Sequence, residues 1–266
     1  MTLCSLLRRL LAATALAQAA FSIHAQGFDN VRFDVPTGRG DGIVGAAVIN
    51  VPRYLGSDER KTRIFPLLDY RWSNGWFAGT GSGVGYNFST RPSIQYGVRM
   101  TADFGRDEDD AAALRGLGDI DPAAEIGAFL NLRLDGGLFL RSALRYGSGN
   151  DHDGLVIDAG AGYGWMLAPR WRLGTGVNAT YVNQSYMRQY FGVDTTQATR
   201  SGYPVYQPGA GVRDVRANVS LGYQISERWG VNASAAIVQL QKDAKASPIT
   251  RDRTTFIAVL GTAYRF

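Results

Sequence analysis

Cysteine and histidine are scarce in this sequence, which has one cysteine and two histidines in 266 residues. A single thiol, Cys4, cannot form an internal disulfide, and so few nitrogen and sulfur ligands leave no spacing typical of a zinc site. Long apolar runs are also missing, because no segment beyond residue 25 has the roughly 18 consecutive apolar residues of a membrane helix. We therefore expect no disulfide, no metal or other cofactor, and no membrane-spanning helix in the mature chain.

Charge of one sign is only slightly in excess, with 28 basic residues against 23 acidic ones and a net charge of +5. The basic residues are scattered, so the sequence predicts no nucleic-acid partner. Glycine is abundant at 33 residues, and aromatic residues make up 11% of the chain. Because glycine costs roughly 1 kcal/mol inside a helix, this composition favours an all-β architecture.

The first 25 residues have the layout of a secretory signal peptide. Arg8 and Arg9 form a basic start, residues 10–23 form an apolar stretch, and Ala25 offers a small residue at the cleavage point. Cleavage there leaves 26 basic against 23 acidic residues, a net charge of +3, and one histidine. We therefore divide the chain into a signal peptide at residues 1–25, a periplasmic N-terminal segment at residues 26–41 and a barrel at residues 42–266.

Alternation of apolar and polar residues is the main evidence for strands. Between residues 215 and 225 every odd position is apolar, and the even positions are polar or glycine. The same period of two recurs over residues 94–104, 155–165 and 171–181. An apolar face for lipid and a polar face for a wet interior are typical of transmembrane β-strands.

A water-soluble β-sandwich is the alternative, because its strands also have one buried face. The alternating segments here are about 10–13 residues long, longer than the usual 5–6 of soluble strands. The last of them ends in Tyr264 and Phe266, and a terminal phenylalanine on such a strand resembles the signal read by the barrel-assembly machinery. We therefore predict a membrane barrel, with that machinery, outer-membrane lipid and lipopolysaccharide as partners.

The lengths of the predicted connections set the orientation of the barrel. Short connections near residues 89–93, 135–136, 168–170 and 226–228 alternate with longer ones at residues 105–121, 147–154, 184–214 and 242–253. Because outer-membrane barrels have short periplasmic turns and longer extracellular loops, we expect a transmembrane antiparallel β-barrel of about 10 strands with both ends in the periplasm. Residues 51–73, which contain Pro52 and Pro66, fit badly; strands there would raise the count to about 12.

Several segments resemble the MipA/OmpV family of outer-membrane proteins, whose founding member was named for interacting with a lytic transglycosylase. The resemblance rests on VPRYLGSD at residues 51–58 followed by Phe65-Pro66, on GLGD at 116–119, on YFGVDTT at 190–196, on SGYPVY at 201–206 and on DAKASPI at 243–249. Together these segments span nearly the whole predicted mature chain in the family's order.

The resemblance implies a monomeric barrel without a cofactor, and it implies a lytic transglycosylase and a murein synthase as partners. The roles attached to the family are diverse: scaffolding of murein enzymes, adhesion, and responses to osmotic stress and antibiotics. The resemblance therefore supports the barrel fold for this chain more firmly than it supports any one role.

Nine charged side chains fall on the polar faces of predicted strands and should point into the lumen: Arg99, Asp103, Glu125, Arg133, Arg141, Arg145, Asp158, Arg172 and Arg216. Charges in a narrow lumen must pair or contact water, so we expect a plugged, salt-bridged interior. The alternative is a small pore that favours anions, because six of the nine are cations and three are anions.

The longest predicted loop carries five aromatic residues: Tyr186, Tyr190, Phe191, Tyr203 and Tyr206. Loops of this length are usually functional or disordered, and aromatic residues argue for order. Two interpretations stay open, a lid that closes the barrel and a surface that binds a partner.

Two polar loop segments are weaker candidates for chemistry. His152 lies between Asp151 and Asp153, which suits a catalytic base, but no serine in a nucleophile motif accompanies it and the segment is rich in turn formers. The acidic run at residues 107–110 could bind a divalent cation, although such runs are more often solvated loop tips. We predict no catalytic, cofactor-binding or metal-binding residue.

The sequence thus favours a non-enzymatic outer-membrane barrel that acts as a scaffold or interaction protein, linked by the family resemblance to murein synthesis and turnover. The alternatives are a narrow pore or small-molecule-binding barrel, an extracellular adhesin, and an outer-membrane hydrolase that uses His152. The short periplasmic turns count against the murein link, because they leave little surface for an enzyme complex.

Overall fold

In the computed structural model, which describes residues 40–266, the chain forms a closed antiparallel barrel of twelve strands. In chain order they are β1 (Asp41–Pro52), β2 (Arg60–Arg71), β3 (Trp76–Gly79), β4 (Gly83–Asn87), β5 (Ile94–Asp103), β6 (Ala123–Arg133), β7 (Leu138–Ser148), β8 (Gly154–Ala168), β9 (Trp171–Val182), β10 (Gly211–Gln224), β11 (Trp229–Leu240) and β12 (Thr254–Arg265). Each strand pairs with its neighbours in sequence, and β12 pairs with β1 to close the barrel. The predicted signal peptide and nearly all of the predicted segment at residues 26–41 lie outside the described residues.

Short helices occur only in the connections of the described chain. The α-helices are α1 (Gln184–Phe191), α2 (Thr195–Ser201) and α3 (Lys242–Ala246), and three single 3-10 turns cover Glu108–Asp110, Ala112–Leu114 and Asp135–Gly137. Across residues 40–266, no helix is long and apolar enough to cross a membrane.

The connections differ at the two ends of the barrel. At one end, which we call the turn end, they are short and cover residues 72–75, 88–93, 134–137, 169–170 and 225–228. At the other end, which we call the loop end, they cover residues 53–59, 80–82, 104–122, 149–153, 183–210 and 241–253. By the rule for outer-membrane barrels, we expect the turn end to face the periplasm and the loop end to face the exterior.

The expected count of about ten strands is wrong, and the alternative of twelve is what the barrel has. The difference lies in and just after residues 51–73. β2 runs for 12 residues in spite of Pro66, because β1 pairs with it along its whole length. β3 and β4 have only four and five residues, so they carry too little alternation to be recognised in the sequence.

The outer face of the barrel is apolar, as a lipid-facing wall requires. Exposed aliphatic side chains cover it on nearly every strand, among them Val48, Ile64, Val98, Leu130, Val177, Val219, Ile237 and Leu260. Aromatic rings form a belt near the turn end, with neighbouring centroids 4.5–6.1 Å apart: Tyr70, Trp72, Trp76, Tyr86, Phe88, Tyr96, Tyr163, Trp165, Trp171, Tyr223, Trp229, Tyr264 and Phe266. Tyr264 and Phe266, predicted as the assembly signal, belong to this belt.

Candidate functional site: a chamber closed at one end

Three long connections pack together over the loop end and form what we call the loop cap (residues 104–122, 183–210 and 241–253). The centre of the cap is apolar, since Leu114, Met187 and Ile249 are completely buried. Side-chain caps fix its helices: Asn183 accepts a hydrogen bond from the backbone N–H of Tyr186, and Asp194 forms a capping box with Gln197. Such burial and capping make the loop cap a packed element that covers the lumen.

Two stacked tyrosines join the loop cap to the barrel wall. The rings of Tyr186 and Tyr190 lie 4.4 Å apart and nearly parallel. The Tyr190 hydroxyl donates to Oδ2 of Asp103 at 2.6 Å, and the Tyr186 hydroxyl accepts from Nη1 of Arg213 at 2.6 Å. Burial raises the pKa of Tyr186 to about 12 and raises the pKa of Tyr190 well above its ordinary value. Both hydroxyls therefore stay protonated at neutral pH.

The other three predicted loop aromatics also make their contacts inside the loop cap. Phe191 is buried, and its carbonyl accepts a hydrogen bond from Ser247. The Tyr203 hydroxyl donates to the carbonyl of Ala113, and the Tyr206 hydroxyl donates to the carbonyl of Asp243. Because these groups are engaged within the protein, their placement supports the lid interpretation over a partner-binding surface.

A layer of buried charges lies directly beneath the loop cap; we call it the charge layer (Asp103, Glu125, Arg145, Asp158, Arg213, Asp214 and Arg216). Glu125 is 1% exposed, and its carboxylate accepts from Nη1 of Arg145 at 2.9 Å. The same carboxylate accepts from the hydroxyls of Ser148 at 2.5 Å and Thr101 at 2.9 Å. Three donors thus satisfy both carboxylate oxygens of Glu125, which is what a buried charge needs to be stable.

The rest of the charge layer continues the network around the lumen. Nη2 of Arg145 lies 3.3 Å from Asp158, whose other oxygen accepts from Thr180 at 2.8 Å. Asp214 lies between two arginines, 2.7 Å from Nε of Arg213 and 3.7 Å from Nη2 of Arg216. With three cations and four carboxylates in it, the layer is close to neutral, and ion pairs join Arg145, Arg213 and Arg216 to its carboxylates.

The sequence prediction missed Arg213, Asp214 and Arg106. The pairing register between β9 and β10 shifts between Val212 and Asp214, so Arg213 is a bulge residue. A bulge lets two consecutive side chains point inward, whereas the sequence predicts that Arg213 and Asp214 both lie in the long loop at residues 184–214. Arg106 lies in a loop, where its Nη1 donates to the carbonyl of Tyr190 at 2.8 Å. An Arg-Asp pair next to Gly211 was the only signal for the bulge.

Beneath the charge layer the lumen is a cavity of about 990 Å³, which we call the chamber. Its lining reaches the turns at residues 72–75, 134–137, 169–170 and 225–228, but it includes no residue of the loop cap. The chamber is therefore open towards the turn end and closed towards the loop end.

Arginine dominates the charged lining of the chamber. Nine arginines line it, namely Arg71, Arg99, Arg133, Arg141, Arg170, Arg172, Arg216, Arg228 and Arg265, against the three acidic residues Asp69, Asp158 and Glu227. A concave, low-dielectric site with one sign of charge concentrates ions of the opposite sign. The chamber is suited to anionic groups that arrive from the turn end.

The opposite wall of the chamber is apolar. Inward residues of β11, β12, β1 and β2 form one buried cluster: Ala47, Ile49, Val51, Phe65, Ala236, Val238, Ile257 and Val259. Leu67 packs against this cluster. Around this cluster the strands are apolar on both faces over a few residues, and that local double apolarity was a readable but unused signal in the sequence. The chamber thus has an arginine-rich wall and a wall formed by this buried cluster, which we call the apolar wall.

The structure places all nine predicted lumen charges inside the barrel. Asp158, Arg99, Arg133, Arg141, Arg172 and Arg216 line the chamber. Asp103, Glu125 and Arg145 lie in the charge layer above it and are 3%, 1% and 7% exposed. Asp158 and Arg216 belong both to the charge layer and to the chamber lining, so the predicted set spans the two.

The two weaker loop candidates lie apart from the chamber. His152 is exposed in a tight turn with φ of 54°, and its backbone N–H donates to the carbonyl of Gly149. In the acidic run, Glu108 accepts from the backbone N–H groups of Gly116 and Gly118, and Asp110 pairs with Lys61. These carboxylates organise the loop, and residues 40–266 contain no cluster of three metal-ligating side chains.

Comparison with known proteins places the chain in a family. The family model described as MltA-interacting protein MipA matches residues 44–266. Curated proteins gave no significant match.

Among solved structures, the NanC porin has a TM-score of 0.50 at 9% identity and covers 83% of this chain and 98% of its own. The KdgM porin has a TM-score of 0.47 at 11% identity, with 84% of this chain and 99% of its own covered. The translocator domain of the autotransporter NalP from Neisseria meningitidis has a TM-score of 0.46 at 12% identity, with 97% and 98% covered. At such identities the likeness to NanC shows the fold alone.

Proposed function

Because the chain belongs to the family of MltA-interacting protein MipA, an outer-membrane barrel family, we propose that it is a non-enzymatic scaffold that docks a murein enzyme, in first place a lytic transglycosylase, at its chamber. The family name supports the partner. The single observation that supports the mode of docking is the chamber itself, open at the turn end and lined by nine arginines against three acidic residues.

The chamber removes the main objection to a scaffold, which is the shortness of the turns. A partner does not need a protruding platform if an acidic segment of it enters a concave site. Arg170 lies in the β8–β9 turn and Arg172 is the second residue of β9; both are exposed, and both line the chamber. They are therefore among the first basic groups that an incoming acidic segment would meet, and their charge would speed its association.

The test is the dissociation constant between the reconstituted barrel and the soluble transglycosylase. Replacing Arg170→Glu together with Arg172→Glu should weaken binding about tenfold or more, and the wild-type affinity should fall as salt rises from about 0.05 to about 0.5 M. The matched control is Arg188→Glu with Arg200→Glu, which makes the same charge change on exposed cap residues and should leave Kd within about twofold. Equal effects of the two pairs, or none, would contradict docking at the chamber.

An anion-selective pore is the second candidate, because the arginine-rich lining would favour anions if the lumen were open. The loop cap and the charge layer argue against it, since buried paired charges fill the lumen between the chamber and the exterior. Near-zero conductance of the wild-type barrel in a planar bilayer is the expected result. A steady anion-selective conductance would favour the pore over the scaffold.

A further inference from the structure

The barrel wall has an opening where β3 and β4 are short. β1 and β2 pair along all twelve residues, whereas β2 and β3 pair only at residues 69–71. The β3–β4 hairpin turns at residues 80–82, and above this turn no strand of the described chain lies between β2 and β5. We call this opening the lateral window; residues 62–66 of β2 form one side of it.

The lateral window is wide enough for a lipid chain. Two missing strands leave three strand spacings between β2 and β5, which is about 14 Å, and five residues of β2 extend for about 16 Å. At the loop end the opening is bounded by the 3-10 turn Glu108–Asp110, where Asp110 pairs with Lys61 at 3.4 Å.

At the lateral window, the edge of β2 that faces away from β1 does not pair with another strand of the described chain. The N–H and C=O of Leu68 both bond to Thr80 and so point towards β3. Because these directions repeat every second residue, the backbone groups of Thr62, Ile64 and Pro66 point into the opening. Proline has no N–H, so Pro66 removes one donor at this edge, which is where proline is tolerated in sheets.

The lateral window opens within the bilayer. β3 begins at Trp76 in the aromatic belt and ends three residues later at Gly79. Three residues on a strand tilted by about 40° rise about 8 Å, whereas the lipid-facing band of such barrels is about 25 Å tall. Ile64, on the outer face of β2 beside the opening, is 77% exposed. Residues 62–66 of β2 therefore lie at the depth of the lipid acyl chains.

The chamber reaches the outer face of the barrel at the lower edge of the lateral window, which we call the sill (Leu68, Gly81 and Ser82). Leu68 points outward and is 49% exposed, and it nevertheless lines the chamber together with Gly81 and Ser82 of the hairpin turn. Directly inside, Phe65 and Leu67 belong to or pack on the apolar wall. A hydrocarbon chain that enters here passes the hydrogen bond between Ser82 and Asp69 and then reaches this apolar surface.

Basic residues mark the upper edge of the window. Arg60 and Lys61 open β2, and Arg63 follows on its inner face with an Nη1 that is buried and without a hydrogen-bond partner among residues 40–266. A phosphate at this edge would supply the missing acceptor and pair with positive charge.

We propose that the lateral window admits an acyl chain of a phosphate-bearing membrane lipid, which lies against the apolar wall while its phosphate is held near Arg63. The unpaired edge of β2, the continuity of chamber and outer face, and the apolar wall behind them carry this inference. It is independent of the murein partner, because that docking uses the turn end.

The test is photo-crosslinking in phosphatidylglycerol–phosphatidylcholine vesicles that contain phosphatidylglycerol with a diazirine on its acyl chain. Mass spectrometry of the intact barrel should find label on the inward residues Ile49, Phe65 and Leu67 as well as on the lipid-facing Val48 and Val177. Label confined to the lipid-facing residues would overturn the proposal.

A pair of glycine variants locates the entry point. A Cβ on Gly81, at the sill, and one on Gly164, at the turn end of the chamber, would each meet open space, so both positions accept a large side chain. Gly81→Trp should lower inward labelling at least about fivefold, and Gly164→Trp should leave it unchanged. Equal labelling in the two variants, each checked for folding by its heat-modifiable gel mobility, would contradict entry at the window.

A headgroup comparison tests the phosphate separately. A diacylglycerol probe with the same diazirine chain should label Leu67 several times less than the phosphatidylglycerol probe, and Arg63→Gln should remove that difference. An unchanged preference in Arg63→Gln would refute the role of Arg63. All labelling is measured on the barrel alone, without a transglycosylase, so failure of this proposal and failure of the scaffold are distinguishable.

Discussion

The two ends of this barrel use the same kinds of residue in opposite ways. At the loop end, Arg145 and Glu125 are buried and paired at 2.9 Å. At the turn end, Arg265 and Asp41 pair at 3.4 Å with the arginine side chain 53% exposed. The buried pair closes a lumen, whereas the exposed pair lies at the mouth of a chamber that stays accessible. Burial, and not the choice of charged residue, decides which end is structural and which end can receive a partner.

The largest expected effect follows from opening the closed end. Replacing residues 184–208 with a short Gly-Ser linker removes α1, α2 and the buried Met187, so the loop cap can no longer cover the lumen. Planar-bilayer conductance should rise at least about tenfold over the wild type. A Gly-Ser replacement of the turn at residues 134–137 is the control and should leave conductance near zero. If the variant without residues 184–208 still shows near-zero conductance, the charge layer is sufficient to close the barrel.

The next largest effect should come from Glu125→Ala. This change leaves Arg145 buried without its partner, and it should lower the free energy of unfolding by about 3–5 kcal/mol. Urea unfolding in vesicles, followed by tryptophan fluorescence, measures it. Glu125→Gln keeps acceptor capacity and should cost less, and the exposed Glu227→Ala should stay within about 0.5 kcal/mol. Similar losses of unfolding free energy for Glu125→Ala and Glu227→Ala would show that charged residues at the two ends contribute equally to stability.

A pH dependence should be confined to the closed end. Tyr186 has an ordinary pKa of 10.0, and burial raises its pKa in the folded protein to about 12. Folding therefore favours the neutral phenol, so this contribution is complete below pH 10 and is lost as pH rises towards about 12. At about 1.4 kcal/mol per pH unit it amounts to about 2–3 kcal/mol.

Tyr186→Phe isolates that contribution. At pH 8 the variant should be less stable by about 1–3 kcal/mol, because Nη1 of Arg213 loses its acceptor. Unfolding midpoints measured from pH 8 to pH 11 should then converge with those of the wild type. A stability difference that is constant over this range would show that the Tyr186 phenol does not titrate with unfolding.

The smallest effect belongs to the open end. Arg265→Ala removes an exposed ion pair with Asp41 and should change the free energy of unfolding by no more than about 1 kcal/mol in the same urea experiment. A loss as large as that of Glu125→Ala would mean that the mouth of the chamber is as structural as the charge layer.

Alternation predicted the strands wherever one face meets lipid and the other meets polar groups. β5, β8, β9, β10 and β12 are of this kind, and they lie where the pattern placed them. β2 escaped recognition because its inner face carries Phe65 and Leu67 and because Pro66 is read as a break. Whether a strand edge is free is a property of its neighbours, so no pattern within β2 could indicate the lateral window.

The interior could be predicted only in part for a similar reason. Side chains such as Glu125 and Arg145 follow from strand parity, because parity alone decides which face they take. The Arg213 bulge breaks parity, and the contact of Arg106 with the carbonyl of Tyr190 depends on how two distant loops pack. The aromatic loop residues indicated an ordered segment, but their partners became visible only in three dimensions.

The short β3–β4 hairpin also bears on the shape of the surrounding bilayer. A wall that is lower on one side presents a hydrophobic thickness that varies around the circumference. Lipids beside β3 and β4 meet a thinner apolar surface than lipids beside β8 to β10, and a bilayer adapts to such mismatch by thinning locally or by letting the protein tilt. The barrel therefore imposes a local hydrophobic mismatch at one point of its perimeter.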